Sequence, residues 1–342
     1  MNEPIKIAII GAGNISLNFH IPTLENLNYE IVAISDVSEE AIKKAKVYFE
    51  NKNKLVSFSN SDDKFKIDTF NTVLICTPTA FHYSLSKKYL EKGKNVFCEK
   101  PMCNSEAQGI ELIKLSKKNG LIYQVGYYRR FQNNTRFIQE AVNSGEYGYL
   151  KSIKVNAGWD SKNTLPNSLL DKNLSGGGIL IDYGVHIIDR LLSWFEELKI
   201  NEYKDDSKGG IESNCILNLT GINKIGFETK INLVCSWTNN IGNDMFINFE
   251  NHSFYSLIND GNSLKHTIYN KTGGTSLKNI SFNDKLFDNT TTDCEKQWVE
   301  FNNRLKNGET EKISSLNNAM ITQSFVEKCY SNKKELSFSW GY

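Results

Sequence analysis

Apolar positions along the first 130 residues fall into two alternating patterns. Short runs built on consecutive apolar residues, IKIAII (5–10), YEIVAISD (29–36), TVLICTP (72–78), NVFCEKP (95–101) and LIYQVGYYRRF (121–131), have the length and β-branched content of strands. Between them lie longer segments with a one-sided apolar stripe: 38–51, 81–93 and 105–120. These carry Ser38 and Ser105 as N-caps and Gly93 and Gly120 as stops, the punctuation of amphipathic helices. The strand after 121 is expected to run through Tyr127, Tyr128, Arg129 and Arg130 to Phe131. Strand and helix in alternation imply crossover units and a parallel, doubly wound sheet.

The rhythm changes after about residue 132. A helical stretch (135–148) and a strand (152–160) lead to SGGGILIDYGVHIIDRLLSWF (175–195), which reads as one long apolar helix. From about 210 to 290, short β-branched and aromatic runs separated by Asn, Gly and Asp have antiparallel-sheet spacing. Helical stretches at 295–308 and 314–330 follow. The expected organisation is an α/β domain over 1–130 and an α+β domain with an open, mainly antiparallel sheet over 131–342.

Composition narrows the classes. The 342 residues suit two domains, and 39% hydrophobic with 23% charged residues is globular usage. Forty Lys and Arg against 39 Asp and Glu give a net charge of +1, which argues against a nucleic-acid partner. No apolar run approaches the ~20 residues of a membrane span, so no membrane partner is expected. The N-terminus has no basic segment followed by an apolar one, and the seven scattered cysteines show no CxxC pair. A reducing, cytoplasmic setting is expected, with the cysteines as small core residues. His and Cys never cluster at ligand spacing, so no metal is expected.

Three groups of residues carry candidate chemistry. Gly11-Ala12-Gly13-Asn14-Ile15-Ser16 follows the first strand directly. Gly11 permits a tight turn, Gly13 lets the backbone approach a pyrophosphate, and the next helix offers free N–H groups to phosphates. Ser16 replaces the third glycine of the dinucleotide fingerprint, at a packing position that accepts a small residue. Asp36, at the tip of the second strand, stands where an acidic side chain holds ribose hydroxyls; the lesser alternative is a helix cap. Glu99-Lys100-Pro101 ends the fourth strand, where open α/β sheets bind ligands. A lysine there can stabilise charge on a reacting oxygen, or lie solvated in its loop. Asp182 and His186 are i and i+4 on the long helix, one turn apart beside an apolar stripe that includes Ile181, Val185 and Ile188. With Asp189 they form a polar edge, either a proton-transfer pair or a buried pair that orders the helix.

Lesser candidates are Thr77 and Pro78 with His82, positioned to face a nicotinamide ring; Tyr128, Arg129 and Arg130; and Trp159, Asp160, Lys162 and Asn163, suited to sugar hydroxyls. His20, His252 and His266 read as structural.

GAGNIS, TPTAFH, EKP and GGGILIDYGVHIID in this order resemble the Gfo/Idh/MocA family, named for glucose–fructose oxidoreductase and inositol dehydrogenase. The resemblance spans essentially the whole chain, and EKP with a downstream DxGxH is its specific part. It implies a Rossmann domain followed by an α+β domain, and NAD(P)-dependent oxidation or reduction of a sugar, cyclitol or nucleotide sugar. Lys100, Asp182 and His186 match the catalytic positions. Gly11, Gly13, Asp36, Thr77, Glu99 and Lys100 match the cofactor-contacting ones, with Asn14, Ile15, Pro78 and His82 beside them. The expected substrate contacts are Lys100, Tyr128, Arg129, Trp159, Asp160, Asp182 and His186. The resemblance also implies a homodimer or homotetramer assembled through the C-terminal sheet.

Asp36 and the absence of Arg or Lys in the next residues, Val37-Ser38-Glu39-Glu40, favour NAD over NADP, because a 2′-phosphate would meet a like charge. Two other classes compete. An NAD-dependent glycoside hydrolase that oxidises transiently would release sugar with no net change in nicotinamide absorbance, but DYGVH differs from the His-containing motif of that branch. A silent binding or regulatory protein would have no need of the Lys, Asp and His together.

Overall fold

The computed structural model describes residues 5–52, 54–161, 164–269, 274–282, 292–308 and 316–336. The chain divides into two compact units, Met1–Tyr128 with Thr291–Gln323, and Arg129–Thr290 with Ser324–Tyr342.

The first unit is built on six parallel strands, β1 (Lys6–Ile10), β2 (Glu30–Ser35), β3 (Ser57–Ser59), β4 (Thr72–Ile75), β5 (Asn95–Cys98) and β6 (Tyr123–Val125). Their spatial order is β3-β2-β1-β4-β5-β6. This is the doubly wound order, with its reversal between β1 and β4. Ile7, Ile9, Leu74 and Phe97 are fully buried because helices cover both faces. The helices Glu39–Glu50 and Glu106–Asn119 start where the serines predict, each with the Ser38 or Ser105 hydroxyl accepting a backbone N–H of the first turn.

The helix Asp293–Asn307 belongs to this unit, although the sequence reading assigns it to the second domain. Its Trp298 stacks on Phe97 with centroids 4.2 Å apart, and Cys294 and Phe301 join the same core. A capping box, Thr292 with Glu295, fixes its start. Its apolar face matches a sheet surface more than two hundred residues earlier, at Phe97, a pairing that local patterns do not reveal. The expected strand over 121–131 is also shorter: it ends at Val125, and Tyr128–Phe131 forms a single tight helical turn.

The second unit holds nine strands, β7 (Leu150–Gly158), β8 (Glu197–Asp205), β9 (Asn214–Ile222), β10 (Glu228–Ser236), β11 (Gly242–Phe249), β12 (His252–Leu257), β13 (Ser263–Tyr269), β14 (Thr275–Ser281) and β15 (Lys333–Glu335). The order is β14-β13-β12-β11-β7-β10-β9-β8-β15, antiparallel except at β7–β10 and β8–β15. Burial alternates along β9 and β10, as a sheet covered on one face requires. The helices Asn133–Ser144 and Val185–Trp194 belong to the same unit, and Ile187, Ile188, Leu191 and Trp194 of the second are buried.

The long helix expected from residue 175 begins only at 179. Through 176–178 the chain presses against Glu212 so closely that a Cβ on Gly178 would collide with its carbonyl oxygen. The Glu212 carboxylate accepts the Leu180 N–H at 3.0 Å and the Tyr330 hydroxyl at 2.8 Å, and so caps the helix start. Leu180–Gly184 is a π-helical turn and contains Asp182. A second π-turn, Ser16–His20, lies in the helix behind the glycine loop. Such turns concentrate at functional sites.

Candidate functional site

In the first unit the candidate residues lie on four loops that leave the same end of the parallel sheet, after β1, β2, β4 and β5. Gly11 has φ +97°, and a Cβ there would run into the Cys76 carbonyl oxygen, so only glycine makes this turn. Its N–H bonds to Ser35 O at 2.8 Å, and the buried Ser16 hydroxyl bonds back to Gly11 O. Gly13, Asn14 and Ile15 are exposed at the helix start. Asp36 is half-buried, with one carboxylate oxygen on the Ala12 N–H at 2.7 Å and the other on the Ser38 N–H at 2.8 Å. The carboxylate is therefore fixed beside the glycine loop.

These residues fit a dinucleotide on two observations. A Cβ placed on Gly13 would meet no atom within 4 Å, which leaves room for a phosphate beside the loop. Thr77 Oγ1, at the end of β4, is buried and has no hydrogen-bond partner among the described residues. An orphaned hydroxyl in such a place is costly unless a ligand completes it.

His82 does not present its ring to a ligand. It is 1% exposed, with Nδ1 at 2.7 Å from Pro101 O and Nε2 at 2.8 Å from Thr77 O. It clamps the loop after β4 to the loop after β5. Burial pushes its pKa below the ordinary histidine value, against the two carbonyl acceptors that favour a protonated ring.

Glu99 and Lys100 are half-buried. Glu99 Oε2 accepts the Lys100 backbone N–H at 3.2 Å, and Oε1 lies 2.8 Å from His20 Nε2. Burial pushes the Glu99 carboxyl up, while the His20 hydrogen bond and the Lys100 cation pull it back below the ordinary carboxylate range. Tyr128 is half-buried, edge-on to Phe19.

In the second unit His186 is buried and Asp182 half-buried, one on the α-helix and the other on the π-turn before it. Tyr183, between them, organises a small cluster. Its hydroxyl and Arg129 Nη2 both donate to Asn259 Oδ1 at 2.9 Å. The Arg129 guanidinium lies 4.6 Å over the Tyr183 ring, and Trp159 meets that ring edge-on at 4.9 Å. Arg129 is thus buried within the cluster, and Asp160 beside it is exposed. Arg130 and Asp189 are buried and form a two-pronged ion pair, with Nε to Oδ2 at 2.6 Å, which makes both structural. Lys162 and Asn163 lie outside the described residues.

Sequence reasoning missed His20, Trp298, Tyr183 and Asn259. Tyr183 lies inside the DYGVH motif and was within reach of it. The other three are placed by long-range packing, for which no spacing signal exists. Among the described residues no three His, Cys, Asp or Glu side chains gather as a metal site, and no helix is long and apolar enough to cross a membrane.

A doubly wound sheet with a glycine turn after its first strand and a fixed acidic residue after its second defines a dinucleotide-binding class of protein. Residues 5–127 match the model of an oxidoreductase family with an NAD-binding Rossmann fold, and 135–249 match the Gfo/Idh/MocA C-terminal domain. The chain belongs to the Gfo/Idh/MocA oxidoreductase family. It is 28% identical over 196 residues to D-glucoside 3-dehydrogenase of Escherichia coli, a match covering 55% of this chain and 53% of that protein. It is 29% identical over 186 residues to myo-inositol 2-dehydrogenase of Thermotoga maritima, covering 54% and 53%. The chain therefore spans about half the length of these curated relatives. The structure of KijD10, a 3-ketoreductase from Actinomadura kijaniata solved with NADP and TDP-benzene, superposes with a TM-score of 0.80 at 16% identity, covering 98% of this chain and 100% of that one. At that identity the likeness is one of fold.

Proposed function

We propose that the protein is an NAD-dependent dehydrogenase or reductase acting on a CH–OH or keto carbon of a sugar, cyclitol or nucleotide sugar. The observation that carries this reading is the placement of Glu99-Lys100 on the loop after β5, at the same sheet end as the Gly11–Gly13 loop and Thr77. When bound, the nicotinamide supplies or accepts the hydride.

The chain's own residues do the rest. Gly11, Gly13 and the helix start hold the pyrophosphate, and Asp36 takes the adenosine ribose hydroxyls. Lys100 donates to the reacting oxygen and stabilises the negative charge that develops on it. His186 takes the proton from the hydroxyl, or returns it in the reductive direction. Asp182 either orients His186 or grips a neighbouring hydroxyl. Trp159 and Tyr183 present ring edges and faces to the sugar.

Preference for NAD rests on Asp36, whose carboxylate both backbone donors hold in place, and on Val37, which is 91% exposed and brings no cation. The likeness to an NADP-bound ketoreductase does not bear on this, since fold alone is shared. Assembly into a dimer or tetramer is supported by exposed apolar side chains on the second sheet, Phe246, Leu257, Tyr269 and Leu277. The seven cysteines, none of them joined in a disulfide, support a reducing, cytoplasmic setting.

The test is a panel of sugars, cyclitols and nucleotide sugars with each cofactor, read by nicotinamide absorbance. A substrate-dependent change, larger with NAD(H), is expected. Sugar release with no absorbance change would point instead to hydrolysis through transient oxidation. Dinucleotide binding with no turnover on any member would point to a silent binding protein.

A further inference from the structure

Behind the Glu99–Lys100 loop lies a buried polar chain that the proposed mechanism does not use. The His20 ring is fully buried, with Phe19 and Phe97 edge-on at 5.7 and 5.6 Å and Cys294 Sγ 4.0 Å from Nδ1. Its Nε2 meets Glu99 Oε1 at 2.8 Å, and its Nδ1 receives the Trp298 indole N–H at 3.1 Å. An indole nitrogen only donates, so Nδ1 must offer its lone pair. The single ring proton then sits on Nε2, pointing at Glu99.

Burial lowers the His20 pKa, while Cys294 and Glu99 raise it, to about 10. The Trp298 donor opposes that second proton, which would set two N–H groups face to face. The geometry favours the neutral ring. Trp298 cannot swing aside, because it is stacked on Phe97 with only 14° between the planes. Gly126 leaves the carboxylate its place, since a Cβ there would lie 2.6 Å from Glu99 Oε1.

We infer that His20 is a positioning residue for Lys100: as a neutral imidazole whose tautomer Trp298 sets, it holds the Glu99 carboxylate against the Lys100 amide and so fixes the backbone from which the lysine reaches its oxygen. The inference rests on the role proposed above for Lys100. It involves no proton transfer, only hydrogen bonds in series from Trp298 to His20, from His20 to Glu99, and from the Lys100 amide to Glu99.

The experiment uses the full chain labelled with ¹⁵N-histidine. The wild-type His20 ring shows one protonated nitrogen, Nε2, and one bare nitrogen, Nδ1, near pH 7; two protonated nitrogens would overturn the inference. In His20→Leu, hydrogen exchange at the Lys100 amide accelerates about tenfold, as expected for one lost charge-assisted hydrogen bond, while β1 and β4 keep their protection. His20→Gln, which retains a donor, restores most of the protection. Unchanged exchange at Lys100 in His20→Leu overturns the positioning role. Should His20→Leu not fold, Trp298→Phe keeps a ring on Phe97 and removes only the donor. The bare Nδ1, beside Cys294, then becomes free to protonate while Nε2 keeps its bond to Glu99, and an unchanged ring titration overturns the part given to Trp298. With a sugar substrate, His20→Leu lowers kcat with little change in KM for NAD+. Lys100→Ala with full turnover would overturn the role of Lys100 and leave the exchange result standing.

Discussion

The two units hold their candidate chemistry in different ways. In the first, Gly11, Asp36, Thr77 and Glu99-Lys100 lie on loops at the ends of parallel strands, and hydrogen bonds to the neighbouring strands and loops tie Gly11, Asp36 and Glu99 down. In the second, Asp182 and His186 lie on a buried helix that is interrupted by a π-turn, capped by Glu212 and walled by Tyr183, Arg129 and Asn259. A loop site is specified by its own turn and by the adjoining strand ends. A helix site is specified by what packs around it. The difference matches the division of labour proposed above, in which the first unit would hold the cofactor and the lysine while the second would move the proton.

The largest test of that division is His186→Ala. Turnover should drop by about 10² to 10⁴ while NAD+ binding stays near the wild-type value. Calorimetry of NAD+ binding alongside steady-state rates decides it, and weakened binding equal to the lost turnover would break the division. Next is Trp298→Ala, which removes the ring stacked on Phe97 and should cost the first unit about 3–5 kcal/mol. Hydrogen exchange resolved by region should show the loss in β1, β4 and β5 and leave β9 and β10 protected; uniform loss would mean the two units unfold as one.

A smaller effect is expected at Asp36. NAD(H) should lead NADP(H) by roughly tenfold or more in kcat/KM, since each 1.4 kcal/mol is a factor of ten, and Asp36→Ala should narrow the ratio. Equal values in the wild type would mean that Asp36 does not face the ribose. Smallest is a control on the first unit remote from chemistry. Burial pushes the Glu25 carboxyl up, but Lys52, Tyr48 and Lys54 outweigh it and bring it down to about 2. A depressed carboxylate stabilises the fold above its unfolded pKa near 4.5, and that contribution fades as pH falls through about 2. Both lysines are largely exposed, so Glu25→Gln should cost only about 1 kcal/mol at neutral pH, and the difference should vanish in acid. Denaturant titrations of both proteins across that range would measure it.

Much of this was legible in the sequence, and the reason differs by residue. Gly11 and Asp36 were readable because a strand, a glycine turn and a second strand are contiguous, and the turn itself dictates the glycine. Lys100 was readable from its place at a strand end. The tally fails where residues meet across long separations. Trp298 pairs with His20 over most of the chain, and Asn259 meets Tyr183 from a different strand connection, so neither leaves a periodic trace. His20 therefore read as structural. The helix 293–307 packs in the first unit without a local trace for the same reason. Both π-turns were invisible, because five residues are too few to show a period of their own. Arg130 and Asp189 each looked available for chemistry until the fold buried them together.

The central claim is that this chain transfers hydride to or from a sugar-class carbon. The most direct measurement is incubation with NADH carrying deuterium at both hydrogen positions of nicotinamide C4 and a panel of keto sugars and keto cyclitols, with mass spectrometry of the products. The account predicts a product that retains one deuterium on its newly formed CH–OH carbon, and none in the His186→Ala protein on the same timescale. Label that stays on the cofactor with every member of the panel, or sugars cleaved without gaining it, would contradict the account.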